Sequence, residues 1–179
     1  MVKVSDKYFE IFISEAEIEQ EVASLASRIN ADHQGQEVLF LVLLNGAFMF
    51  ASDLLKHITL PCSVSFVKLS SYHGGTSSSG QVKELIGLNE SIEGKHVIVV
   101  EDIVDTGTTM DVLIPDLTER NPASVKICTL LFKPEAFKGQ FAPQYTGFNI
   151  PNAFVLGYGL DYNEQGRNLN AIYQLKKES

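Results

Sequence analysis

Several things are scarce in this chain, and each scarcity excludes something. Cysteine occurs twice, at Cys62 and Cys128, without a CxxC spacing, so neither a disulfide framework nor a thiolate metal site is written into it. Both sit at or within apolar, strand-like runs, and both are expected to be buried, reduced thiols. Basic residues number 14 against 22 acidic ones, a formal net charge of −8, which argues against nucleic acid or an acidic membrane surface as partner. No apolar run approaches the ~18 residues of a membrane-crossing helix. The N-terminus lacks the basic-then-apolar pattern of a secretory signal, so the cytoplasm is the expected location. There is no GxxxxGK[ST], and no GxGxxG follows a strand, which excludes a P-loop and a dinucleotide fold. Internal repeats and linkers are also missing, so 1–179 reads as one domain.

What is present alternates between two periods. Ser14 followed by Glu17 forms a capping box, opening a helix with Ile18, Val22, Leu25 and Ile29 on one face. Val38–Leu44 is a continuous apolar strand closed by Asn45-Gly46, and a short helix with Phe48, Leu54 and Leu55 follows. Val64–Leu69 and Val82–Ile86 read as strands around SSYHGGTSSSG (Ser70–Gly80). That segment holds three glycines and five serines, too little apolar surface to order itself, and is expected to be mobile. Val125–Phe132 is a further strand ending at Lys133-Pro134, and Phe154–Gly157 and Ala171–Leu175 are shorter ones. Residues 135–153 hold four aromatics and two prolines without a clean period and read as irregular connection. The expected fold class is therefore α/β, an open, mostly parallel twisted sheet flanked by helices. Such sheets bind ligands at the carboxyl ends of their strands, where Asn45-Gly46, Glu101-Asp102, Lys133 and the polar loop from Asp161 to Arg167 all fall.

The most informative stretch is HVIVVEDIVDTGTT, His96–Thr109. Val97–Val100 has the unbroken apolar character of a strand covered on both faces. It ends in Glu101 and Asp102; Asp105 and Thr106-Gly107-Thr108-Thr109 follow, and then helical spacing at Met110, Leu113 and Leu117. A loop feeding a helix N-terminus presents unpaired N–H groups and the positive end of the helix dipole, which together bind phosphate. Gly107 permits close backbone approach, and the threonine hydroxyls add donors. Acids beside a phosphate cradle make chemical sense if they hold a sugar diol or a divalent cation through hard oxygen ligands. The plainer alternative is a turn that caps the helix at Asp105 or Thr106.

VVEDIVDTGTT (Val99–Thr109) resembles the phosphoribosyl-pyrophosphate signature of the type I phosphoribosyltransferases, their hypoxanthine-guanine branch in particular. YTGFNIPNAFVLGYGLDYNEQGR (Tyr145–Arg167) is similar to that family's purine- and pyrophosphate-binding tail, LNGAF (Leu44–Phe48) to its first active-site loop, and SSYHGG (Ser70–Gly75) to its closing loop. The resemblance implies a small hood built from the chain ends. It implies that Glu101 and Asp102 grip the ribose hydroxyls and lie near Mg2+, that Thr106, Gly107, Thr108 and Thr109 hold the 5′-phosphate, and that Asp105 is the proton acceptor near N7 of the purine. Lys133 would donate to the oxo group at C6, Phe154 would stack on the base, and Val155 would offer backbone groups to its edge. Asp161 would hold a second Mg2+, and Arg167 would bind pyrophosphate. A cis peptide at Asn45-Gly46 would direct an N–H there, while Ser71 and Tyr72 would close over the reaction. Two departures stand out: Asn45 occupies a place where the family commonly has a basic residue, and Gly166 one where a bulky aromatic is common.

The activity so implied is purine salvage, in which the 5-phosphoribosyl group passes from phosphoribosyl pyrophosphate to N9 of a 6-oxopurine, hypoxanthine or guanine, with Mg2+ as cofactor. A homo-oligomer, dimer or tetramer, is implied too, and neither nucleic acid nor membrane is an expected partner. The rival expectation, a nucleotide sensor on the same fold that binds nucleic acid, needs a basic surface that the charge balance does not supply.

Overall fold

The computed structural model describes residues 1–71 and 83–176. Along the chain come β1 (Val2–Val4), β2 (Lys7–Ile13), α1 (Glu15–Asp32), β3 (Val38–Leu43), α2 (Phe48–Lys56), β4 (Cys62–Ser71), β5 (Lys83–Ile86), β6 (His96–Val104), α3 (Thr108–Glu119), β7 (Ser124–Phe132), β8 (Tyr145–Asn149), β9 (Val155–Leu156) and β10 (Ile172–Leu175). Six strands form the main sheet in the order β5-β4-β3-β6-β7-β8. All pairs in it are parallel except β4 with the edge strand β5. Tyr72, the serine-glycine segment through Gly80, and Val82 lie outside the described residues.

Both faces of this sheet are covered, which is why its central strands show no alternation: all six residues of β3 are buried. Phe40, Val42, Ile98 and Val100 pack with Ile18, Val22, Leu25 and Ile29 of α1 and with Phe50 and Leu54 of α2. Leu39, Leu41, Val97 and Val99 face the other way, against Met110, Leu113, Ile114 and Leu117 of α3. The expected capping box is present at α1, where the Ser14 hydroxyl accepts from the Glu17 N–H and the Ser14 N–H donates to Glu17 Oε2 at 2.8 Å. Ser14→Ala is expected to lower unfolding free energy by about 1 kcal/mol, read from urea denaturation, with activity unchanged.

The chain ends build a second sheet, antiparallel, in the order β1-β2-β10-β9. Phe9 and Leu156 fill its own small core, while Ile13, Val155, Tyr158 and Ile172 join the α1/α2 side of the main core. This is the hood that the family resemblance implies. Periodicity gave no sign of β1 and β2, because β1 is three residues long and β2 buries only Phe9 and Ile13.

Two further expectations are corrected. Residues 135–153 are not wholly irregular, since Tyr145–Asn149 forms β8 at the sheet edge. Tyr145, Thr146 and Phe148 are good strand formers, but Gly147 and Asn149 interrupt the pattern; pairing with β7 and the Tyr145 hydroxyl donating to Asp32 at 2.7 Å hold the strand. Cys128 is buried, and burial pushes its thiol well up from the ordinary value, but Cys62 is exposed. The reason is register: β5 covers β4 only from Lys68 to Ser71, leaving the start of β4 without an outer neighbour among the described residues. No helix among the described residues is long and apolar enough to cross a membrane.

From β3 the chain passes through α2 to β4 on one side, and from β6 through α3 to β7 on the other. The winding direction therefore reverses between β3 and β6. In an open α/β sheet that reversal leaves a crevice beyond the strands' carboxyl ends.

Candidate active site

The crevice is opened by unequal strand lengths. Pairing of β6 with β3 stops at Val42 opposite Val100, whereas its pairing with β7 continues to Val104 opposite Phe132. Glu101 and Asp102 thus lie within a strand, not after it, on an overhang with no β3 partner. The apolar run marks the end of one pairing and not of the strand. A hollow of about 410 Å³ there is lined by Leu43, Leu44, Asn45, Gly46, Leu69, Glu101, Asp102, Ile103, Thr109, Asp161 and Arg167. A smaller one of about 90 Å³ adjoins it along Val104–Met110 and shares Glu101, Ile103 and Thr109.

The smaller hollow sits at the N-terminus of α3. Gly107 is the cap residue, with φ 89° and no side-chain capping bond, so Asp105 and Thr106 do not cap this helix as the plainer reading supposed. Their side chains stay available because a left-handed glycine already turns the chain, leaving the first-turn N–H groups unpaired. A side chain at 107 would also meet the Phe137 ring at 2.6 Å and the Gly139 Cα at 2.9 Å. Thr106 and Thr108 hydroxyls lie 3.0 Å apart across the loop mouth.

Lys133 follows β7 and is held beside this loop, its N–H donating to the Val104 carbonyl at 3.0 Å. Its ammonium donates to Asp105 Oδ2 at 2.8 Å, with the lysine side chain 9% and the aspartate 43% exposed. A largely dehydrated donor and a half-open acceptor therefore stand side by side at the edge of the site.

Across the larger hollow, Asp161 and Arg167 are brought together and to each other, Arg167 Nη2 lying 2.7 Å from Asp161 Oδ1. Arg167 also donates to the Gly159 carbonyl at 2.8 Å, which holds its loop although Gly166 precedes it. Asn45 is exposed on the rim and Gly46 lines it. The cis peptide is Leu44–Asn45, one bond earlier than expected, directly after the Leu44 N–H completes the strand edge by donating to the Val67 carbonyl at 2.8 Å. Ser71 ends β4 by its backbone, and Tyr72 lies outside the described residues.

Phe154 and Val155 line neither hollow. Val155 is buried, leaving only its backbone to offer, whereas Phe154 is 46% exposed on the hood rim. Behind Phe154 stands a residue the sequence reading missed: Tyr162 meets it edge-on at 5.7 Å, and its hydroxyl donates to Asp6 at 2.9 Å. Nothing in the periodicity marks a tyrosine whose partner is at the far end of the chain.

Electrostatics set Glu101 and Asp102 apart. Burial, and then the neighbouring Asp102 charge, push the Glu101 carboxyl well above the usual glutamate range. Burial also raises Asp102, against hydrogen bonds from neighbouring groups and the Arg167 charge, which pull it down. Glu101's raised value means that its contribution to stability is present below the unfolded pKa and is lost as pH rises through the folded one. Glu101→Gln, in metal-free buffer, is expected to raise the urea midpoint at pH 8 and to give no gain below the ordinary glutamate pKa of about 4.3. Among the described residues no three His, Cys, Asp or Glu converge as a metal cage. Two adjacent, mutually repelling acids on an open cleft nonetheless suit Mg2+, which keeps waters and takes substrate oxygens as further ligands.

A largely parallel sheet with an acidic strand overhang, a glycine-turned helix N-terminus and a hood from the chain ends is the architecture of the type I phosphoribosyltransferases. The phosphoribosyl transferase domain family matches residues 13–163. The chain is 42% identical over 174 residues to a hypoxanthine-guanine phosphoribosyltransferase of Lactococcus lactis, covering 97% of this chain and 94% of that protein. It is 43% identical to one of Streptococcus pneumoniae, over 94% of this chain and 93% of the relative. A crystal structure of a hypoxanthine-guanine phosphoribosyltransferase from Bacillus anthracis superposes with a TM-score of 0.84 at 38% identity, covering 94% of this chain and 100% of that one. This chain belongs to the phosphoribosyltransferase family.

Proposed function

We propose that this protein transfers the 5-phosphoribosyl group of phosphoribosyl pyrophosphate to N9 of hypoxanthine, and of guanine, forming the nucleotide and releasing pyrophosphate. The observation that carries the reading is the side-by-side placement of Lys133 and Asp105 next to the α3 N-terminus. A 6-oxopurine presents an acceptor at O6 and, in its N7-protonated form, a donor at N7 on one edge. A lysine donor beside an aspartate acceptor is complementary to that edge. Adenine, with a donor at C6, would face the ammonium donor and be rejected.

In this reading the N–H groups at the start of α3, with Thr106, Gly107, Thr108 and Thr109, hold the 5′-phosphate, and Glu101 and Asp102 hold the ribose hydroxyls. Phe154 covers one face of the base, braced by Tyr162. The N9–C1′ bond forms as the bond from C1′ to pyrophosphate breaks; Asp105 takes the N7 proton, so that the nucleophile is not left cationic. Arg167 receives the departing pyrophosphate through its guanidinium fork, after exchanging its Asp161 partner for the anion. Mg2+, held by Asp161 on the pyrophosphate side and by Glu101 and Asp102 on the ribose side, would neutralise the charge that builds on the leaving group. Fixing both reactants in one cleft supplies the remaining advantage.

The test is a pyrophosphate-release assay with Mg2+, phosphoribosyl pyrophosphate and a panel of hypoxanthine, guanine, xanthine, adenine and uracil. Turnover with hypoxanthine and guanine is expected; release with adenine alone, or with no base, would overturn the assignment.

A further inference from the structure

Helix α2 contributes no residue to the lining of either hollow, yet one of its side chains reaches toward the loop that carries Asp161 and Arg167. We propose that Asp53 and Tyr158 are positioning residues for the pyrophosphate end of the cleft, α2 fixing through them the turn that aims Arg167. This rests on the function proposed above.

The Tyr158 hydroxyl donates to Asp53 Oδ2 at 2.6 Å, and Lys56 Nζ donates to the other oxygen, Oδ1, at 2.7 Å. The tyrosine is 4% exposed and takes a positive φ of 49°, a conformation rare outside glycine that persists only where surroundings enforce it. Packing alone would be satisfied by phenylalanine; a hydroxyl buried against a carboxylate that a lysine already holds is a directional tether. Burial and then Asp53 raise the Tyr158 pKa far above the ordinary value. Asp53 is itself lowered: burial acts to raise it, but the bonds from Lys56 and Tyr158 outweigh that. Donor and acceptor therefore keep their roles across the working pH range.

The next residue transmits the constraint. The Gly159 N–H donates to the Arg167 carbonyl at 2.9 Å, while the Arg167 guanidinium returns a bond to the Gly159 carbonyl at 2.8 Å. Gly159 also lies against the Gly46 carbonyl, so close that an added side chain would come within 2.0 Å of it. A turn held from below by Asp53 thus sets the distance between the two walls of the cleft and the direction of the guanidinium.

The experiment measures binding of inorganic pyrophosphate with MgCl2 by titration calorimetry, beside steady-state kinetics, for wild type, Tyr158→Phe, Asp53→Ala and Asp53→Asn. Tyr158→Phe and Asp53→Ala are expected to weaken pyrophosphate binding and raise the KM for phosphoribosyl pyrophosphate by about tenfold. The KM for hypoxanthine should stay at the wild-type value, while the melting temperature falls by the few degrees that loss of one buried hydrogen bond brings. Asp53→Asn, whose amide oxygen still accepts from the hydroxyl, should restore wild-type affinity. Unchanged pyrophosphate affinity in both Tyr158→Phe and Asp53→Ala overturns the inference. So does a parallel rise of both KM values, which marks a general structural role. If wild type binds no pyrophosphate and turns over no purine, the functional reading itself has failed, a result distinct from either of these.

Discussion

Asp105→Asn is expected to lower turnover with hypoxanthine by roughly 10²–10⁴-fold, the usual contribution of a positioned general base, with little change in the KM of either substrate. The change is informative because it separates charge from contact. Lys133, 7% exposed, keeps an oxygen acceptor in the asparagine, so its ammonium is not stranded and the fold is retained. What disappears, on the mechanism proposed above, is the ability to take a proton from N7. Asp105→Ala removes both, and the ammonium then loses its partner. Because Asp105 is 43% exposed, water replaces part of that interaction, and the stability cost is about 1–3 kcal/mol, below that of a fully enclosed pair. Steady-state kinetics together with urea denaturation of both variants check these outcomes. Turnover of Asp105→Asn within threefold of wild type removes Asp105 from the role.

The parts of this site that were legible in sequence are those in which one local stretch does the work. His96–Thr109 announces a covered strand, an acid pair and a helix start within a single reading frame, because strand, turn and helix each leave a local pattern. The strand's true end was hidden, since it depends on how far β3 runs beside it and not on β6 itself. Lys133 could be placed at a strand end but not beside Asp105, because 28 positions separate them and register alone brings them together. The hood came from family likeness; β1 and β2 bury too few side chains to alternate clearly. Partnerships such as Tyr162 with Asp6 and Tyr158 with Asp53 span 156 and 105 positions, and no local pattern encodes them. Cys62 shows the opposite failure, in which an apolar neighbourhood in sequence stands at an uncovered strand in space.

A pair of alanine substitutions separates the cleft's chemistry from its architecture. At Gly46 an added Cβ would fall 1.6 Å from Asp102 Oδ2, so the carboxylate must leave its place. Asp102 is a short side chain on a strand overhang, and it gives way by losing the bond that its Oδ1 accepts from the Ile103 N–H at 2.8 Å. Gly46→Ala is therefore expected to fold but to lose at least about 10²-fold in kcat/KM for phosphoribosyl pyrophosphate, since a displacement of an ångström at a positioned group has that effect. Gly159→Ala meets a harder obstacle. Its Cβ would lie 2.0 Å from the Gly46 carbonyl oxygen, which is backbone and cannot rotate aside, and its φ of 100° is hostile to any side chain. Here activity and fold suffer together, with about 1–3 kcal/mol lost from unfolding free energy on top of the kinetic defect. Urea denaturation and kinetics on the two proteins decide the matter. A Gly46→Ala enzyme with wild-type kcat/KM would mean that Asp102 need not stand where it does, and the ribose-gripping role of the acid pair would go with it.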